Sequence, residues 1–151
     1  MTKPLFTIGY EQATTGALFG ALTDAKVGVV VDVRAVTSSR RPGFSKRQLA
    51  AGLDEHGIGY LHLRALGTPK EGRLAARSGN RAELFRIYEK HLATPDARTE
   101  MDELAALATS GRPLCLLCYE RDPDGCHRRR IAELIHERTG AKVENLFCAP
   151  V

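Results

Sequence analysis

Tryptophan is absent from the sequence, and aromatic residues make up only 6% of it. Surfaces that stack successive bases of a single strand rely on interleaved aromatics, and Tyr10, Phe44 and Tyr60 are the few that lie near basic segments. Long apolar runs are missing too. Met1-Thr2-Lys3-Pro4 leads straight into Leu5-Phe6, without the stretch that a signal peptide or a membrane span requires. The expectation is a protein neither secreted by that route nor embedded in a membrane, with a cytoplasmic location. Cysteines are few, and Cys115, Cys118, Cys126 and Cys148 all crowd the last quarter of the chain. Two of them sit inside an apolar run, a poor disulfide framework that points to reduced thiols. Neither a Gly-x-Gly-x-x-Gly fingerprint nor a Walker loop is present, so the usual marks of dinucleotide and P-loop binding are lacking. No internal repeat or linker-like stretch breaks the chain.

What is present is ordinary globular material. The 151 residues are 43% hydrophobic and 26% charged, enough to build one core and one domain spanning residues 1–151. Net charge is +4, which favours anionic partners without demanding nucleic acid. The excess is uneven. From Arg34 to Leu53 there are five basic residues (Arg34, Arg40, Arg41, Lys46 and Arg47) and no acid. Such a run either faces an anion or forms a solvated face.

Hydrophobic patterning gives alternating strands and helices. Leu5 to Ile8, Val27 to Val31, Ile58 to Leu63, Pro113 to Cys118 and Lys142 to Phe147 read as strands, the second β-branched throughout its apolar positions. Between them, helical spacing places Leu18, Phe19 and Leu22 on one face after a Thr15 cap, and Leu49 and Leu53 on another after a Ser45 cap. Leu84, Ile87, Tyr88 and His91 form a further helix, Pro95 interrupts it, and Met101, Leu104 and Leu107 resume the pattern. A last helix starts near Cys126 and turns Ile131, Leu134 and Ile135 inward. Gly67 to Asn80, with three glycines and little periodicity, reads as a long surface loop. The alternation predicts a three-layer, Rossmann-like α/β domain with a mostly parallel sheet of about five strands. Ligands of such sheets bind outside the carboxyl ends of the strands.

The residues at those ends carry the candidate chemistry. Glu11, Asp32 and Glu120 are acids at three strand ends, and carboxylates placed beside arginines could divide into acid and base. For Asp32 and Arg34 the competing reading is a structural ion pair. The richest segment runs from Cys118 to Arg128, where a strand turns through proline and glycine into a basic helix. Several readings of it stay open. The helix N-terminus with His127 and Arg128 could hold an anion, since free N–H groups and an arginine fork suit phosphate. The same field could activate Cys126 as a nucleophile. Cys118, Cys126 and His127 could ligate zinc, although the seven-residue gap is not a usual zinc spacing and no fourth ligand is evident. The segment could also be structural, with Cys118 a small core residue, His127 capping the helix and Arg128 solvated. The Cys-x5-Arg spacing of Cys115 and Arg121 matches phosphatase loops, but Cys115 falls within an apolar strand rather than a cradle of N–H groups.

Thr7-Ile8-Gly9-Tyr10, Asp32-Val33-Arg34, Ser39-Arg40 with Phe44, Gly57-Ile58-x-Tyr60, His62-Leu63, Leu66-Gly67, Cys118-x-Glu120 and Cys126-His127-Arg128 follow one another in order. In this order and over nearly the whole chain, the sequence resembles the bacterial and archaeal family known as domain of unknown function 488. The resemblance implies a compact α/β domain in which Tyr10, Asp32, Arg34, Ser39, Arg40, His62, Glu120, Cys126, His127 and Arg128 cluster. It names no substrate. Where the family often has proline before its Ser-Arg pair, this chain has Thr37.

The resulting expectation is a site for a phosphate-bearing ligand, a nucleotide or a nucleic-acid end, at the carboxyl edge of the sheet. Tyr10, Arg34, Ser39, Arg40, His62, His127 and Arg128 would bind it, and Glu120, Asp32 and Cys126 are the candidates for chemistry. One alternative is a nucleic-acid module that uses the Arg34–Arg47 stretch and the Arg128-Arg129-Arg130 run. The other is a metal protein built on Cys118, Cys126 and His127.

Overall fold

A computed structural model describes residues 3–149. The elements run β1 (Leu5–Gly9), α1 (Thr15–Asp24), β2 (Val29–Asp32), α2 (Lys46–Glu55), β3 (Gly59–His62), α3 (Lys70–Arg77), α4 (Arg81–Leu92), α5 (Pro95–Ala108), β4 (Leu114–Cys118), α6 (Arg128–Thr139) and β5 (Val143–Asn145). The strands form one five-stranded sheet in the order β3-β2-β4-β1-β5, parallel at every pairing. This is the expected three-layer α/β fold.

The apolar strands follow from that layering. Phe6, Ile8, Val30, Cys115 and Leu117 face α1 and α2, where they meet Leu18, Leu22, Leu49 and Leu53. Their neighbours Leu5, Val29, Val31, Leu114 and Leu116 face the opposite layer, with Tyr88, Leu104, Ile131 and Ile135 from α4, α5 and α6. Side chains alternate between faces, so a strand covered on both must be apolar throughout. No helix among the described residues is long and apolar enough to cross a membrane.

The helices differ from expectation in three places. Thr14, not Thr15, caps α1, its Oγ1 accepting from the Ala17 amide at 3.0 Å. The final helix begins at Arg128, after a 3-10 turn over Pro123–Gly125 and an extended Cys126. Most consequentially, the stretch read as a surface loop contains α3. Its buried residues are the small Gly72 and Ala75, while Leu74 is exposed, so no apolar stripe betrays it. A Cβ on Gly72 would stand 2.4 Å from the Thr68 methyl, so the helix is drawn too close for a larger residue to fit without movement.

The strand order locates the crevice. After β1 and β2 the chain enters α1 and α2 on one layer; after β4, which lies between them, it enters α6 on the other. Loops that leave adjacent strands toward opposite faces open a cleft at the carboxyl edge. The ends of β1, β2 and β4 surround it.

Candidate functional site

Asp32 ends β2, and Arg34 turns back upon it. The Arg34 guanidinium donates from Nε to Asp32 Oδ1 at 2.9 Å and from Nη2 to Oδ2 at 2.7 Å, and its amide donates to Oδ1 at 3.1 Å. Tyr60 donates its hydroxyl to Asp32 Oδ2 at 2.6 Å. From the other side of the guanidinium, Nη1 reaches Tyr10 Oη at 3.1 Å and the Phe44 carbonyl at 2.7 Å. Asp32 is 0% exposed and Arg34 4%. Burial opposes the Arg34 charge, yet the Asp32 carboxylate outweighs it and holds the guanidinium more firmly protonated than usual. Burial and the same carboxylate push the Tyr60 hydroxyl up. Asp32 is therefore the anchor of a buried network, and the acid–base role considered for it gives way to the ion-pair reading. Arg34 keeps one of its five donors unassigned. Tyr10 is stacked on Phe44 at 4.5 Å, so that face of its ring is closed to a base.

The second cluster joins β4 to α6. His127 directs Nδ1 at two sulfurs, 3.7 Å from Cys118 Sγ and 3.6 Å from Cys126 Sγ, while Nε2 lies 2.7 Å from the Val33 carbonyl. That contact needs a proton on Nε2, which leaves the Nδ1 lone pair facing the sulfurs when the ring is neutral. Glu120 Oε2 sits 3.4 Å from Cys118 Sγ. His127 stands at the N-cap position of α6, as the capping reading has it, but its ring makes no capping bond. The neighbouring Cys126 side chain and burial push the Cys118 thiol well up. For Cys126 burial acts in the same upward direction, but the neighbouring Cys118 thiol and the His127 charge overcome it and bring the thiol well below its ordinary range. Burial and the Cys126 charge raise Glu120. His127 also rises, because Cys126 outweighs the opposing effect of burial.

Arg128 does not serve as the anion fork expected of it. It is 0% exposed, and its guanidinium donates to the carbonyls of Glu120 and Arg121, the former from Nη1 at 2.5 Å and the latter from Nη2 at 3.2 Å. It pins the loop that carries Glu120. Cys115 is fully buried, with its thiol pushed up by burial, and Arg121 bonds the Cys148 carbonyl, so these two residues do not form a phosphatase-like loop. Glu11 accepts from the Arg121 amide at 3.0 Å and ties the β1 and β4 loops together. His62 lies outside the cleft, with Nε2 at 2.8 Å from the Arg34 carbonyl.

Above both clusters opens a pocket of about 500 Å³, within the range of small-molecule sites. Of the residues singled out in the sequence, Tyr10, Arg34, Ser39, Arg40, Cys118, Glu120 and His127 line it; Asp32, His62, Cys126 and Arg128 do not. Three further arginines line it, two of them outside every basic run of the sequence. Arg41 lies in the basic run, whereas Arg73 and Arg77 come from α3, and only a helix in place of the presumed loop brings them here. Arg73 Nη1 donates to the Thr68 carbonyl at 2.8 Å, and Arg41 bonds the carbonyls of Tyr10 and Ala13. Beneath the cleft, Tyr88 is 0% exposed, packs edge-on to His127 and donates to the Leu66 carbonyl at 2.6 Å. Tyr88→Phe strands that carbonyl and is expected to cost about 1–2 kcal/mol of stability, read from urea denaturation.

Fold and cleft together define a three-layer α/β protein with a basic pocket at the carboxyl edge of a parallel sheet. The chain belongs to the family described as domain of unknown function DUF488, whose profile matches residues 14–135. Neither the curated proteins nor the solved structures that were compared contain a match.

Proposed function

We propose that the carboxyl-edge pocket binds a small ligand bearing a phosphate or a similar multiply charged anion. The reading is carried by one observation: Arg40, Arg41, Arg73 and Arg77 line the pocket, none is paired with a carboxylate among the described residues, and Glu120 is the sole acid in the lining. Arg41 and Arg73 spend donors on backbone carbonyls, but all four charges lack a carboxylate partner, and such charges around a hollow create a positive field that an anion relieves. Arg34 and the Ser39 hydroxyl extend the donor set inward, and the exposed Tyr119 offers a ring at the rim for a base or sugar.

A phosphate-backbone surface is less well supported. Arg34 is buried against Asp32, Arg41 turns inward, Arg129 and Arg130 pair with acids, and Arg128 is enclosed. The two basic runs thus contribute few free charges to a common face.

The test is a thermal-shift and calorimetric series with inorganic phosphate, nucleoside monophosphates and a short single-stranded DNA. The small phosphates are expected to raise Tm, because a ligand that binds only the folded state stabilises it. The double variant Arg40→Ala/Arg77→Ala is expected to weaken binding by roughly tenfold or more, as charge-assisted hydrogen bonds of about 1.5–3 kcal/mol are lost. Arg138→Ala, which removes a charge paired with Asp102, serves as control. Equal affinity in the double variant and the control would refute the reading; tight DNA binding without small-anion binding would replace it with the nucleic-acid one.

A further inference from the structure

We propose that Cys118, Cys126 and His127 hold a zinc ion at the floor of the pocket, with Glu120 as a fourth, exchangeable ligand. The proposal does not rest on the anion reading of the pocket above it. Its first support is geometric. Zinc bonds of about 2.3 Å to sulfur and about 2.05 Å to nitrogen, set at the tetrahedral angle, place sulfur and nitrogen donors about 3.5 Å apart. His127 Nδ1 stands 3.7 Å from Cys118 Sγ and 3.6 Å from Cys126 Sγ, and all three donor atoms lie within 4.8 Å of one another. Glu120 Oε2 lies 3.4 Å from Cys118 Sγ, beside the group of three donors rather than within it, and would turn toward the ion to complete the shell. A single Nδ1 lone pair can accept a proton from one sulfur only, yet it lies almost equally far from both. A cation between the three donors uses that lone pair and both sulfurs at once.

The surroundings supply what a metal centre needs. Val33 accepts from His127 Nε2 and so fixes the tautomer that presents Nδ1, the role an outer carbonyl plays behind a metal-bound imidazole. Two thiolates and a carboxylate around a divalent cation leave one negative charge. Arg128, enclosed and bonded only to neutral carbonyls on the same loop, supplies one positive charge, and its Nε has no acceptor among the described residues. Sulfur and imidazole donors select zinc over magnesium or calcium. Cys118, Glu120 and His127 line the pocket, so the ion would be reached from it, and displacement of Glu120 would open a coordination position toward a bound anion.

The test uses the full chain, stripped with a chelator under reducing conditions and titrated with cobalt(II) as a spectroscopic stand-in for zinc. Saturation at one equivalent is expected, with a thiolate-to-cobalt charge-transfer band in the near ultraviolet, visible bands of tetrahedral intensity, and loss of both when zinc is added. Cys118→Ser and Cys126→Ser should each lose about half or more of the charge-transfer intensity. Cys148→Ala should keep it. Glu120→Gln should keep the charge-transfer band and alter the visible bands. If a serine variant does not fold, X-ray absorption of the zinc-loaded wild-type chain decides, with two sulfurs in the shell expected. Absence of the charge-transfer band in the reduced wild-type protein, or a zinc shell without sulfur, overturns the proposal whatever the phosphate series shows.

Discussion

Asp32→Asn is expected to lower the free energy of unfolding by about 3–5 kcal/mol, the usual consequence of removing one partner of a buried ion pair. The Arg34 guanidinium would keep its charge, 4% exposed, with its strongest acceptors gone, and Tyr60 would lose a charged acceptor. Urea denaturation measures the loss. Asp32→Asn combined with Arg34→Met removes the stranded charge as well and is expected to recover part of the stability. A side chain that acted only in chemistry would behave differently, since its replacement would leave the unfolding midpoint where it was. An unchanged midpoint for Asp32→Asn would therefore sink the structural assignment and return Asp32 to the list of reactive groups.

Gly9→Ala is expected to destabilise by about 3 kcal/mol or more, for a steric reason. An alanine Cβ at the end of β1 would fall 1.7 Å from the Glu120 carbonyl oxygen and 2.4 Å from its carbon. Both are backbone atoms, so no rotamer change relieves the contact. The loops would have to part, and with them the hydrogen bonds from the Tyr10 amide to Cys118 at 3.3 Å and from the Glu11 amide to Tyr119 at 2.8 Å. Gly20→Ala gives the contrast: nothing lies within 4 Å of its Cβ, and α1 should gain about 0.5–1 kcal/mol from the better helix former. Equal melting temperatures for the two variants would contradict this account.

The layer architecture was legible because its physics is periodic. Val-rich β2 and the Leu-Cys-Leu-Leu-Cys of β4 are apolar at every position since both faces are covered. Pro95 marks a true boundary, standing at the first position of α5. α3 was hidden because close packing through Gly72 and Ala75 leaves no hydrophobic repeat to read, and with it went Arg73 and Arg77. Site membership was legible only as far as strand ends. Tyr10, Arg34 and Glu120 gather as the parallel sheet requires, but residue type and position do not reveal where a guanidinium points. Arg128 turns down to backbone carbonyls and Arg34 to Asp32, whereas Arg40 stays on the pocket side. Spacing is also silent on how near Cys118, Cys126 and His127 lie to one another: the seven-residue gap is bridged by a 3-10 turn and an extended residue that bring the three side chains together.

β1 and β2 share no ladder; each is hydrogen-bonded to β4, which sits between them. During synthesis the first two strands and their helices therefore emerge long before the segment that joins them, and a nascent chain ending before Leu114 has a β2–β3 pair with an unfilled edge and a β1 without any partner strand. Non-local pairing of this kind slows folding and leaves exposed strand edges for chaperones or neighbouring chains to meet. The insertion of one central strand closes both edges and, in the same event, brings Cys118 and Glu120 beside Tyr10 and Arg34. Ligand binding would then report complete folding, with no partly folded form able to hold the ligand early.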